Sequence, residues 1–233
     1  MAIEIDKISK SFGETDVFRD FSLYLPDTGC VCLFGPSGSG KTTLLNLIAN
    51  LEHPDTGKIS RPASDISVVF QEDRLLPWVS AQENIKLVLE NKYASSKEAL
   101  KIAGDWLATV FLEESAAKKP AELSGGMRRR IALARALAFG GSSLLLDEPF
   151  TGMDTQIKNA LFPLMSEIKK EKLIVLITHY PEEAVRLSDV VHVLSGSPVR
   201  IAETIRIRDE DRDDPQKTLR LAKRLTAHFP ADA

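Results

Sequence analysis

Over the first 25 residues apolar side chains recur against a polar background. Ile3, Ile5 and Ile8 punctuate one stretch, and Phe21, Leu23 and Leu25 alternate before a turn at 26–29. The period of two in the second stretch puts its apolar residues on one face of a strand, so the opening predicts antiparallel strands. Residues 29–34 are continuously apolar, as a strand buried on both faces would be. A Gly/Ser loop follows, then a predicted helix at about 40–50 and a second strand region over 57–70. From residue 80 the pattern turns helical. Ser80 with Glu83, and Ser95 with Glu98, fit the Ser-x-x-Glu box that satisfies free amides at a helix start. The stretch 80–117 therefore reads as an inserted helical lobe. Beyond Ser124 the order alternates: helix 124–139 and strand 143–146, helix 154–171 and strand 173–178, helix 181–188 and strand 190–194. This predicts an α/β fold with a parallel sheet, an antiparallel β-region and a helical insertion. Pro163 is expected to kink or start its helix. The tail past Ile207 is highly charged, with an amphipathic helix expected at 215–228.

A chain of 233 residues fits one large domain or two lobes sharing a core. The formal net charge of -3 gives no electrostatic reason to expect nucleic acid as a partner. The most apolar runs are far shorter than the ~20 residues that a membrane-crossing helix needs. Glu4 and Asp6 near the start argue against a signal peptide, so a cytoplasmic chain is expected. Cys30 and Cys32 share one strand face, poorly placed to bridge each other, and no third cysteine exists to build a metal cage. They are expected to be buried thiols.

The chemistry concentrates in Gly35-Pro36-Ser37-Gly38-Ser39-Gly40-Lys41-Thr42, a complete G-x-x-x-x-G-K-[ST] loop between an apolar strand and a helix. Glycines let the backbone curl so that successive amides, through Thr43, face one anion, and the helix N-terminus adds positive potential. Lys41 is expected to reach the β- and γ-phosphates of ATP, and the Thr42 hydroxyl to ligate Mg²⁺. The strand at 143–146 ends in Asp147 and Glu148, at the sheet edge where such folds bind ligands. Asp147 is the expected Mg²⁺ ligand and Glu148 the group that polarises water for attack on the γ-phosphate.

Leu123-Ser124-Gly125-Gly126-Met127 reads from the residues alone as a helix start, Ser124 its N-cap. Lying about one helix upstream of the Asp-Glu strand, it resembles the signature of ATP-binding subunits of ABC transporters, a resemblance covering nearly the whole chain. The family implies a P-loop NTPase fold of the ABC type over 1–207, its helical insertion at about 78–122, and a separate tail over 208–233. It also implies a homodimer in which Ser124, Gly125 and Gly126 of one subunit face the other's phosphate loop across two ATP sites. Gln71 resembles the Q-loop glutamine that contacts Mg²⁺ and the attacking water, and His179 the switch histidine at the γ-phosphate. Asp154 matches the D-loop aspartate, while Gly152 and Met153 depart from the usual Ala-Leu. Phe12 falls where the family stacks an aromatic on adenine. The run Arg128-Arg129-Arg130 is expected to be a solvated helix face.

Within the family, the segments 69–78, ending in Leu75-Leu76-Pro77-Trp78, 148–150 and 178–184 resemble the nitrate/sulfonate/taurine group of importers. The resemblance implies a peripheral subunit on the cytoplasmic face of the membrane, docked through the Leu76–Trp78 patch to integral permease subunits. A periplasmic or surface solute-binding protein would be an indirect partner. An exporter subunit shares these motifs. A non-transport ABC ATPase usually carries two cassettes or long coiled-coil insertions, and this chain has one phosphate loop.

Overall fold

The computed structural model describes residues 2–61, 65–90, 92–93 and 95–229. Strands β1 (Ile3–Phe12) and β2 (Thr15–Leu25) pair antiparallel, Ile3 opposite Leu25 and Ile5 opposite Leu23. Their period-two apolar residues are buried, as alternation requires. The strand region expected over 57–70 is two strands in two sheets. β4 (Thr56–Ser60) joins β1 in the antiparallel sheet, and β5 (Ile66–Val69) begins the second sheet. The part of that expectation at 62–64 lies outside the described residues, as do 230–233 of the tail.

The second sheet has the order β5-β6-β7-β3-β8-β9. β3 (Gly29–Phe34) lies between β7 (Leu173–Thr178) and β8 (Val190–Ser195), with β6 (Ser143–Asp147) beyond β7 and β5 at one edge, all parallel. β9 (Arg200–Arg206), which periodicity did not reveal, closes the other edge antiparallel to β8, so the sheet is mixed. β3 separates two cores. Cys30, Cys32 and Phe34 face one layer with the buried residues of α4 (Gly125–Phe139), α5 (Thr155–Glu171) and α6 (Pro181–Leu187). Val31 and Leu33 face the other, with α1 (Lys41–Ile48) and the antiparallel sheet. Both cysteines are buried free thiols, and burial pushes Cys30 up to about 12.

Between β5 and α4 lie α2 (Ala81–Lys86), α3 (Ser96–Thr109) and two short 3₁₀ turns. At α2 both halves of the Ser80–Glu83 box are present, while Ser95 accepts from the Glu98 amide at 3.1 Å. Fully buried Asn84 ties down the loop before α2. It accepts from Leu76 N at 2.8 Å and donates to Leu76 O at 3.2 Å and Ser80 O at 3.0 Å. Such a satisfied buried amide rigidifies its loop.

Pro163 neither starts α5 nor ends it. The helix begins at Thr155, capped by Asp154 accepting from Ile157 N at 2.9 Å, and runs through the proline. Flanking Leu161, Phe162 and Met165 are buried, and that packing offsets the lost backbone bond. The tail forms α7 (Asp209–Arg212) and α8 (Pro215–Thr226), the latter burying Leu225. Among the described residues no helix is long and apolar enough to cross a membrane.

Candidate functional site

Parallel register brings the loop, the acidic pair and the histidine to one sheet edge. Phe34 lies opposite Thr178, and Asp147 opposite Ile177. The chain leaving β3 at Gly35, β6 at Glu148 and β7 at His179 therefore emerges side by side. Gly35 has no room for a side chain, since a Cβ there would lie 2.8 Å from Leu194 O. Gly40 sits at φ 72°, a left-handed conformation natural to glycine, as the N-cap of α1. The predicted helix thus starts at Lys41 and ends at Ile48, inside the expected 40–50.

Lys41 is buried, its Nζ donating to Pro36 O at 2.6 Å and lying 3.3 Å from Ser39 Oγ. Thr42 Oγ1 donates to Asp147 Oδ2 at 2.8 Å. Burial pushes the Lys41 ammonium below its usual range, against the opposing pull of Glu148 and Asp147. Burial likewise raises Asp147, with the Thr42 bond working the other way. Glu148 holds φ 48°, uncommon for a residue with a side chain, and its amide donates to Ile177 O at 2.9 Å. In that conformation its Oε1 lies 2.8 Å from His179 Nδ1. Lys41, Thr42, Asp147, Glu148 and His179 thus form one continuous cluster.

Gln71 is exposed just past β5, whose Val69 pairs with Leu146 of β6. Its position comes from an arginine in the run expected to be a solvated helix face. Arg129 is buried, and its guanidinium donates to Phe70 O at 2.6 Å and to Gln71 O. Arg130 donates to Val110 O at 2.9 Å and Phe111 O at 3.0 Å, and Arg128 to Leu123 O at 2.9 Å. The arginine run is therefore no solvated face. It fastens α4 to the segment after β5 and to the end of α3, because a guanidinium fork suits orphan carbonyls at element ends.

Ser124 caps α4, accepting from Met127 N at 3.3 Å, and with Gly125 is exposed. Gly126 meets Gly152, for a Cβ on it would lie 2.5 Å from Gly152 O. Gly152 itself holds φ 75°. The crossing requires glycine at 126, while at 152 a Cβ would meet only Gly126 N at 3.8 Å and it is the positive φ that favours glycine. Gly126→Ala should cost about 1–3 kcal/mol, the usual penalty of overpacking, read as a lower denaturation midpoint. An unchanged midpoint would mean that the crossing can open freely. Phe12 ends β1 at 49% exposure, with Lys10 Nζ 5.0 Å from its ring centroid, apart from the bonded cluster.

The donors suit a nucleotide with a hard cation. A loop whose Cβ positions are closed at Gly35 and strained at Gly40 fits phosphate oxygens against backbone amides. A hydroxyl bonded to a carboxylate is an oxygen set of the kind Mg²⁺ takes, which usually completes its shell with phosphate and water. Among the described residues no three His, Cys, Asp or Glu side chains form a cage for metal alone.

Residues 18–151, more than half of the chain, match the family model described as ABC transporter. An uncharacterized ABC transporter ATP-binding protein of Methanocaldococcus jannaschii is 36% identical over 226 residues, covering 90% of this chain and 85% of that protein. The taurine import ATP-binding protein TauB of Pseudomonas aeruginosa is 37% identical, covering 89% and 82%. The sulfate/thiosulfate import ATP-binding protein CysA of Escherichia coli is 40% identical over 87% of this chain, which spans 60% of that longer protein. Among solved structures, the dimeric ATP-binding cassette MJ0796, in a post-hydrolysis state bound to ADP and Pi, superimposes with a TM-score of 0.82. It is 28% identical, over 88% of this chain and 99% of that one. With a strand-end site built around a phosphate loop and a family match spanning most of that site, the chain belongs to the ABC transporter family as an ATP-binding, ATP-hydrolysing subunit.

Proposed function

We propose that this subunit powers a bacterial importer of a small anion, of the sulfonate, sulfate or nitrate kind, as a homodimer beneath separate membrane subunits. Kinship with taurine and sulfate import subunits supports the direction and the solute class. The catalytic reading rests on the convergence of Lys41, the Thr42–Asp147 pair and the Glu148–His179 contact at three adjacent strand ends.

In this reading the backbone amides of Ser37–Thr43 hold the ATP phosphates, with Pro36 shaping the loop, the ammonium of Lys41 counters the β/γ charge, and Phe12 stacks on adenine. Thr42 and Asp147, with the Gln71 side chain, would hold Mg²⁺, which neutralises phosphate charge when bound. Glu148, aimed by its left-handed backbone, orients and deprotonates the attacking water. His179 steers the Glu148 carboxylate and faces the terminal phosphate. Exposed Ser124 and Gly125, with Gly126, present a second helix N-terminus to the partner copy's ATP, so closing the dimer completes the site.

Docking to the permease is assigned to the loop before α2. Trp78 is 67% exposed, on a loop pinned by Asn84 four to eight residues away, beside the segment that Arg129 holds. A large exposed aromatic on a rigid loop is a natural anchor for a partner. Trp78→Glu should leave folding and basal ATP hydrolysis near wild type and weaken attachment to the membrane subunits by tenfold or more, on the order of a hot-spot loss. Co-purification with those membrane subunits measures it. Undiminished co-purification would move the docking surface elsewhere, and the solute-binding protein acting with that permease would identify the solute.

A further inference from the structure

Glu183 has no part in the proposed hydrolysis, yet at 3% exposure it is among the most buried ionisable groups described. A buried carboxylate persists only with close partners, and it has two. Thr178 Oγ1 donates to its Oε2 at 2.7 Å, and Lys158 Nζ to its Oε1 at 2.7 Å. The Thr178 oxygen also accepts from Tyr180 N at 3.0 Å. His179 is therefore the single residue between two that are bonded to each other, and Glu183 holds the hydroxyl that closes this small ring.

Lys158 carries the contact to another element. It lies in the first turn of α5, its amide donating to the carbonyl of the capping residue Asp154 at 3.1 Å. Its ammonium also sits 4.9 Å from the Tyr180 ring centroid, and that ring lies 4.1 Å from the imidazole of His179. Two routes thus run from Lys158 to the histidine, one through Glu183 and Thr178 and one across Tyr180. Two residues before Asp154, Gly152 packs on Gly126 at the start of α4. Contacts and the short chain from Gly152 to Asp154 join the α4 end, where Ser124 and Gly125 are exposed, to His179 and on to Glu148.

We propose that the Lys158–Glu183 ion pair is a positioning device for hydrolysis. It locks the loop carrying His179 to the helix that starts at Asp154, so that the imidazole and the Glu148 carboxylate stay in register with the segment packed under Gly126. Lys158 and Glu183 are positioning residues: neither reaches nucleotide, and both act through His179. The inference rests on the assignment of His179 to the terminal phosphate. The coupling is measured as a double-mutant cycle.

Steady-state ATPase and equilibrium ATP binding of the full chain are measured for Glu183→Gln, Lys158→Met, the double variant, Lys158→Arg and His179→Ala, below the melting temperature of each. Met keeps the stem of Lys158 and removes the charge. The expected result is a kcat about ten- to a hundredfold lower in each of the two single variants, the scale of a small misplacement of a catalytic group. ATP affinity should stay within about twofold of wild type, because the phosphate loop is untouched. The double variant should fall no further than the worse single one, and Lys158→Arg should recover most of the rate. Lys158 is partly exposed, so if Glu183→Gln does not fold, Lys158→Met and Lys158→Arg decide the matter. Wild-type kcat in Lys158→Met overturns the proposal, as does a parallel loss of ATP binding and turnover, which marks a purely architectural pair. Full turnover in His179→Ala would instead remove the assignment underneath, a result distinguishable from a failed ion-pair test.

Discussion

Replacing Lys41 with alanine should reduce ATP hydrolysis by at least about 10²–10³-fold, the cost of removing a preorganised charge from a transition state. The ammonium is buried within 3.3 Å of Pro36 O and Ser39 Oγ, where no other cation takes part in the described bonds. Asp147 and Glu148 both act on it electrostatically. Without it, incoming phosphate charge would meet two carboxylates, buried Asp147 among them, with no fixed counter-charge beside the loop. The fold should survive, since the position opens α1 and alanine is the best helix former. Phosphate release and nucleotide binding on the folded variant measure the effect, with circular dichroism as the control. Hydrolysis at the wild-type rate would remove the phosphate loop from the mechanism.

The parts of the site that could be read from the chain are those that one segment carries by itself. The phosphate loop is contiguous, and its neighbours announce their own strand and helix. Asp147 and Glu148 end a run of buried residues, and Ser124 is a cap followed by helix. What escaped reading depends on partners distant in sequence. Arg129 looks like part of a solvated basic run until its guanidinium is seen on the carbonyls of Phe70 and Gln71, 59 and 58 positions away. Glu183 lay inside a segment already singled out, but nothing in its spacing names Lys158, 25 positions earlier on another helix. Gly126 reads as part of the signature and Gly152 as a departure from the usual Ala, and neither position announces that a Cβ on Gly126 would meet Gly152 O.

The fold shows the same division. Strands with a clear period were legible, whereas β9 hides because Arg200, Glu203 and Arg206 are charged and its strand pairs on one edge only. The strand region at 57–70 looked like one element because apolar periodicity reports burial and not which sheet does the burying. Pro163 does not start its helix for a related reason: propensity is a weak local term, and three buried neighbours on α5 outweigh it.

Glu148→Gln should separate binding from chemistry. Glutamine keeps the size of the side chain and can still bond His179, 2.8 Å away, so the left-handed backbone and the cluster around it should persist. What disappears is the carboxylate able to take a proton from water, and losing a general base typically costs ~10²–10⁴-fold in rate. Binding does not need that proton transfer, so the Ser37–Thr43 amides, Lys41 and Thr42 should hold ATP as before. With turnover stalled, the terminal phosphate stays available to a second helix N-terminus, and Ser124 and Gly125 are exposed in the single chain. ATP should therefore convert monomer to dimer in size-exclusion chromatography of the variant, while ADP should not. Adding Ser124→Arg removes the α4 cap and sets a bulky cation where the partner's phosphate approaches, which should abolish the shift while each monomer still binds ATP. A dimer that forms with ATP despite Ser124→Arg would mean that the copies pair through another surface, and the composite site would have to be abandoned.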